Sequence, residues 1–197
     1  ASDIPDAFGM IGGPPCQTFS ALANLVRDQG REPRFGNLIP EFERVVRDAH
    51  PMWFLMENVP AAPAAKVDEY CVDTFILDNV SCGGEQRRRR RFSFGHWATL
   101  VNLRKFLNWA PLDHPEPKAT VTGSDGGESK KEHARRVWHT KYSLPEMLRL
   151  QDLPPGFLDH SPFRADAQRQ AIGNGVPLPM GRAIARAVKK ALEAGPR

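Results

Sequence analysis

A chain of 197 residues, 41% hydrophobic and 25% charged, can build a folded core as one domain or as one domain with a small appendage. Its formal net charge of +4 is a mild basic excess, compatible with a polyanionic partner. Three cysteines without a CxxC pair (Cys16, Cys71 and Cys82) argue against a disulfide framework and a zinc site. No apolar run approaches the roughly 20 residues that span a bilayer.

In chain order, residues 1–6 are a polar, proline-containing lead-in without the pattern of a signal peptide, and the chain reads as cytoplasmic. Ala7 to Ile11 is a short apolar run that predicts a buried strand, stopped by Gly12-Gly13-Pro14-Pro15. Cys16 follows that strand's carboxyl end, where open α/β sheets place their chemistry. Position alone favours a small buried hydrophobe, the usual fate of a free cysteine. Ala21 to Asn37 predicts a loop with a short helical piece.

Pro40 to Ala49 predicts a helix. Pro40 suits a first turn, and Phe42, Val45, Val46 and Ala49 share one face. His50-Pro51 ends it. Met52 to Met56 is an unbroken apolar run, as in a parallel strand buried on both faces, and Glu57 stands at its end. Strand, helix and strand make a βαβ unit with Cys16 and Glu57 at one edge of the sheet. A carboxyl in that place is open to partial burial, which favours its protonated form. The bland alternative is an exposed carboxylate opening a turn before Pro60.

Thr74 to Leu77 is a further β-rich run. From Gln86 to Gly95, alternation sets Arg88, Arg90 and Phe92 on one strand face and Arg87, Arg89 and Arg91 on the other. Such a basic run suits a solvated edge strand or contact with phosphate. His96 to Lys118 mixes tryptophan, leucine and proline, and Thr122 to His139 is rich in Gly, Ser, Lys and Arg. Gly123-Ser124-Asp125-Gly126-Gly127 lacks the spacing of a phosphate cradle. Ser143-Leu144-Pro145-Glu146 reads as a capping box opening a helix through Gln151. Gly173-Asn174-Gly175-Val176-Pro177 reads as a tight turn before a last helix, with Met180, Ile184, Val188 and Leu192 as its core stripe.

Pro15-Cys16-Gln17-Thr18-Phe19-Ser20 resembles the nucleophile loop of the DNA (cytosine-5) methyltransferases. Glu57-Asn58-Val59 resembles that family's Glu-Asn-Val motif, and Gln86-Arg87-Arg88-Arg89-Arg90 its Gln-x-Arg-x-Arg motif. Arg149-Leu150-Gln151 and Gln170 to Pro177 resemble its two C-terminal motifs, and all five stand in family order. The resemblance implies an α/β chain, a partial Rossmann-like S-adenosylmethionine-dependent methyltransferase fold with a reduced target-recognition region. It implies a catalytic region at 1–95, recognition at 96–142 and a C-terminal segment, 143–197, returning to the catalytic region.

The implied activity is methyl transfer from S-adenosylmethionine to C5 of a flipped-out cytosine in double-stranded DNA, through a covalent Cys16 adduct. Cys16, Glu57, Arg88 and Arg90 are the implied catalytic residues. Pro14, Pro15, Leu38 and Asn174 are the implied cofactor contacts. Gln17, Ser20, Gln86, Arg87 and Arg89 are the implied DNA contacts, and no metal is called for. Restriction–modification and phage self-protection are the implied settings.

The chain also departs from the family pattern. The interval between Glu57 and Gln86 is short, as is the recognition region. The glycine loop and acidic residues that bind the cofactor, in about 60 further residues of βα units, do not precede Cys16. The departure from the pattern leads to three expectations: a truncated reading frame, one half of a split enzyme, or a chain whose missing units come from a partner copy. A sheet without those strands exposes apolar edge surface that something should cover. Two other readings remain: a remnant that binds DNA without catalysis, and an RNA cytosine-5 methyltransferase.

Overall fold

The computed structural model describes residues 5–16, 18–19, 36–110, 116–123 and 142–195. Four strands, β1 (Gly9–Gly12), β2 (Trp53–Asn58), β3 (Cys71–Asp78) and β4 (Arg89–His96), form one sheet in the order β1-β2-β4-β3. The helices are α1 (Ile39–Ala49), α2 (Leu144–Leu150), α3 (Ala165–Asn174) and α4 (Leu178–Ala194). Contacts gather the chain into two units built from interleaving segments. One unit is Ala1–Leu77, Arg89–Leu107 and Arg186–Arg197, and the other is Asp78–Arg88 and Asn108–Ala185.

In the first unit, β1 runs parallel to β2 with Gly12 opposite Met56, and β2 runs antiparallel to β4 with Glu57 opposite Phe92. The sheet is therefore mixed. Phe54, Leu55 and Met56 are buried, as an apolar run covered on both faces requires. α1 lays Ile39 and Val46 into that core, and the Phe42 ring meets Phe54 edge to face at 5.9 Å. Gly12 lets this contact form, since a Cβ there would lie 2.5 Å from the Phe42 ring.

Two expectations change here. β1 is not a buried strand but an edge strand, with Phe8 67% and Ile11 70% exposed. β4 is not an edge but an inner strand, paired on both sides, so its arginines do not serve to guard an edge.

In the second unit, Ser143 and Glu146 form the reciprocal capping box that opens α2. Met147, Leu148 and Leu150 pack with Val121, Tyr142 and Ile172. Gly173 and Asn174 belong to the end of α3, and Gly175 is its extended cap, so the expected tight turn is a helix terminus. α4 belongs to the second unit up to Ala185 and to the first from Arg186 on; along it Met180, Ile184, Ala187, Val188 and Ala191 are buried, and Leu192, expected in the stripe, is half-buried. No helix among the described residues is long and apolar enough to cross a membrane.

Candidate active site

The loop after β1 carries the candidate nucleophile. Cys16 is a free, half-buried thiol, and its carbonyl accepts the amide of Phe19 at 2.9 Å, closing a turn. Asn58, buried at the end of β2, donates its side-chain amide to the Pro14 carbonyl at 3.1 Å. That bond ties the Cys16 loop to the neighbouring parallel strand. In the sequence Asn58 stands only within the Glu57-Asn58-Val59 motif, two places after the apolar run Met52 to Met56, and no local pattern there signals a tethering role.

Glu57 precedes Asn58, so its side chain takes the opposite face of β2. A Cβ on Gly13 would lie 3.4 Å from Glu57 Oε2, which places the carboxylate under the backbone of the Cys16 loop. Arg90 reaches it from β4, with Nε 2.7 Å from Glu57 Oε1. The Arg90 guanidinium also donates to the Arg89 carbonyl at 2.9 Å. The expected partial burial of Glu57 is present, but with a cation beside it. The structure thus brings together Gly13, Glu57 and Arg90, with the Cys16 loop tethered by Asn58.

The other candidates stand elsewhere. Arg88 is fully buried in the second unit, donating to the carbonyls of Val121 at 2.7 Å and Gly173 at 2.8 Å. A buried guanidinium requires such partners. Gln86 is equally buried, donating to the Leu150 carbonyl at 2.7 Å and accepting from the Val121 amide at 3.0 Å. Arg87 and Arg89 are exposed, whereas Arg91 is half-buried and donates to the Pro60 carbonyl at 2.8 Å.

Pro14 is half-buried, and Pro15, Leu38 and Asn174 are exposed. Gln17 and Ser20 lie outside the described residues. The remaining thiols differ from Cys16 in setting. Cys71 is exposed at the start of β3. Cys82 donates to the Asp78 carbonyl, and burial, with the Asp78 charge, pushes its pKa up to about 11.

The sequence decides the family. Residues 1–145 match the model of the C-5 cytosine-specific DNA methylases. The chain belongs to this family.

Among family relatives, the type II methyltransferase M.HgiDI of Herpetosiphon aurantiacus is 35% identical over 97 residues. That match covers 44% of this chain and 30% of the relative. M.MthTI of Methanothermobacter thermautotrophicus is 24% identical over 98% of this chain and 81% of its own length. M.FnuDI of Fusobacterium nucleatum is 30% identical, with 35% of its length matched. Matches to M.HgiDI and M.FnuDI thus span about a third of each relative. The Entamoeba histolytica methyltransferase EhMeth superposes with a TM-score of 0.57 at 14% identity, over 96% of this chain and 78% of that one. The S. pombe Dnmt2 methyltransferase gives 0.54 at 12% identity, over 95% and 78%. At these identities the likeness shows a shared methyltransferase fold.

Proposed function

We propose that the chain carries the base chemistry of a DNA (cytosine-5) methyltransferase acting on duplex DNA in a restriction–modification or phage-protection setting in the cytoplasm. The observation that carries this reading is the Glu57–Arg90 pair lying beneath Gly13 of the Cys16 loop. Cytosine C5 is a weak nucleophile and has to be activated. In this reading the Cys16 thiolate forms a bond to C6, and the displaced electron pair makes C5 enamine-like. A protonated Glu57 donates to N3, offsetting the negative charge that builds on the ring, and the Arg90 fork holds the O2 side. C5 then takes the methyl group that S-adenosylmethionine would supply, a base removes the C5 proton, and the electron pair of that C–H bond expels the Cys16 thiolate from C6. The carbons attacked are out of reach in a duplex, so the base is flipped out. Exposed Arg87 and Arg89 suit phosphate contacts.

S-adenosylmethionine is the methyl donor of this reading. Pro14, Pro15, Leu38 and Asn174 are its candidate contacts, and none of them is an acid able to hold the ribose hydroxyls. The described residues therefore make an incomplete cofactor site. The free edge of β1 supports an origin for the rest. Parallel strands are normally covered on both faces and both sides. Here Ile11 in β1 stands 70% exposed, and Phe8, just before the strand, 67%. Cofactor-binding βα units, in a partner chain or elsewhere in a longer protein, would pair along this edge.

The test is methyl transfer from labelled S-adenosylmethionine to mixed-sequence duplex DNA, by this chain alone and with an N-terminal βαβ segment added in trans. Incorporation at cytosine C5 in either preparation is the expected result. Its absence in both, with DNA binding retained, would leave a binding remnant and overturn the catalytic reading. Preferential methylation of structured RNA over duplex DNA would replace the substrate.

A further inference from the structure

Arg88 is among the largest fully buried side chains in the protein. Its guanidinium connects two places far apart in sequence, the Val121 carbonyl and the Gly173 carbonyl. Gln151 donates to the Ile172 carbonyl at 2.6 Å, and its own backbone carbonyl accepts the Leu178 amide at 3.1 Å. Gln86 joins the same network, donating to Gln151 Oε1 at 3.2 Å. Three buried side chains therefore hold backbone groups of residues 121, 150, 172 and 173.

Two of these groups have a particular meaning. Ile172 and Gly173 supply carbonyls from the last turn of α3, where no further helical amide can take them all. Arg88 also brings a positive charge to the negative end of that helix. The fit is close, since a Cβ on Gly173 would lie 2.2 Å from the Gly123 amide nitrogen. The next residue out of this clamp is Asn174, which is exposed.

We infer that Arg88, with Gln86 and Gln151, is a C-terminal clamp on α3 that fixes the position of Asn174. Arg88 is then a positioning residue on the cofactor side and does not touch the reacting base. The step from Asn174 to the cofactor rests on the proposed function. The clamp itself rests on the hydrogen bonds alone.

The experiment compares the full chain with Arg88→Lys, Arg88→Met and Asn174→Ala. It uses amide hydrogen exchange and, with the N-terminal units supplied in trans, kcat and KM for S-adenosylmethionine. Loss of a buried charged hydrogen bond gives about tenfold or more. Arg88→Met should therefore speed exchange at residues 121–123 and 172–176 by about that factor and leave β2 unchanged. KM should rise about tenfold while kcat stays within about threefold, Asn174→Ala should give the same split, and Arg88→Lys should recover part of it. Should the Met variant fail to fold, the Lys variant, which keeps the charge and loses the fork, carries the comparison. Unchanged exchange at 172–176 would overturn the clamp. A fall in kcat at constant KM would overturn the positioning role, as would a normal KM in Asn174→Ala. If no preparation of the wild-type chain methylates, the proposed function fails and the exchange data decide the clamp alone.

Discussion

Arg90 Nε lies 2.7 Å from Glu57 Oε1, and the two side chains are only 14% and 20% exposed. The pair spans β4 and β2, which run antiparallel and place Glu57 opposite Phe92. A salt bridge so sheltered fixes both groups in direction, and a base entering beside Gly13 would meet them already aligned. Glu57→Gln keeps the shape and removes the charge. It should lower kcat for methyl transfer by about 10²- to 10⁴-fold, the usual worth of an acid–base group. Thermal unfolding should change little by comparison. An enzyme with near-normal kcat would remove Glu57 from the chemistry.

Cys16 and Cys82 offer a paired test of the nucleophile. Cys16→Ser should abolish methyl transfer and leave DNA affinity within about twofold, because serine lacks the thiolate and fills the same space. Cys82→Ser should leave methyl transfer intact, since burial holds that thiol protonated with a pKa pushed up to about 11. Measured turnover and a binding isotherm for each variant decide the assignment. Activity surviving in Cys16→Ser would end the covalent mechanism.

Much of this arrangement was legible before any coordinates, and the reasons are local. Ser143 and Glu146 satisfy each other's backbone within one turn, so their box needs only four letters to be read. Within the apolar run Met52 to Met56 the strand could be read, although Met52 itself lies before β2 and is 38% exposed. The expected alternation from Gln86 to Phe92 appears as 86, 88 and 92 buried and 87 and 89 exposed, but β4 begins only at Arg89, and Arg90 and Arg91 are both half-buried. What alternation could not supply was the partner on the buried side. Arg88 and Arg90 share a face, yet one meets the carbonyls of Val121 and Gly173 and the other meets Glu57. Those partners lie 33 to 85 residues from Arg88, and no local pattern records them. The exposure of Ile11 was hidden for a similar reason: an apolar strand reads as buried whether or not its neighbour is at hand.

His96 ends β4 and gives the fold an acid-side weakness. It is buried, its Nδ1 accepts the Ala98 amide at 3.3 Å, and burial lowers its pKa from 6.5. The unfolded chain takes up this proton near pH 6.5 while the folded chain resists it. The contribution is thus fully present above that pH and is lost as pH falls towards the lowered folded value, at no more than about 1.4 kcal/mol per pH unit. Urea midpoints at pH 5.5 and 7.5 should differ less in His96→Gln than in the wild-type chain. An equal difference in both would assign the acid sensitivity to other groups.

Ile11 tests the free edge of β1. The residue is 70% exposed, so Ile11→Lys loses little packing and should change stability by no more than about 0.5 kcal/mol. A lysine on an open strand edge nevertheless opposes strand addition, by its charge and by the cost of burying it. If cofactor-binding units pair along β1, their addition in trans should restore methyl transfer to the wild-type chain and fail to restore it to Ile11→Lys. Ile76→Lys provides the control: it lies on β3, the opposite edge of the sheet, at 39% exposure. Complementation should survive there. Equal complementation of both variants would place the cofactor-binding units somewhere other than along β1.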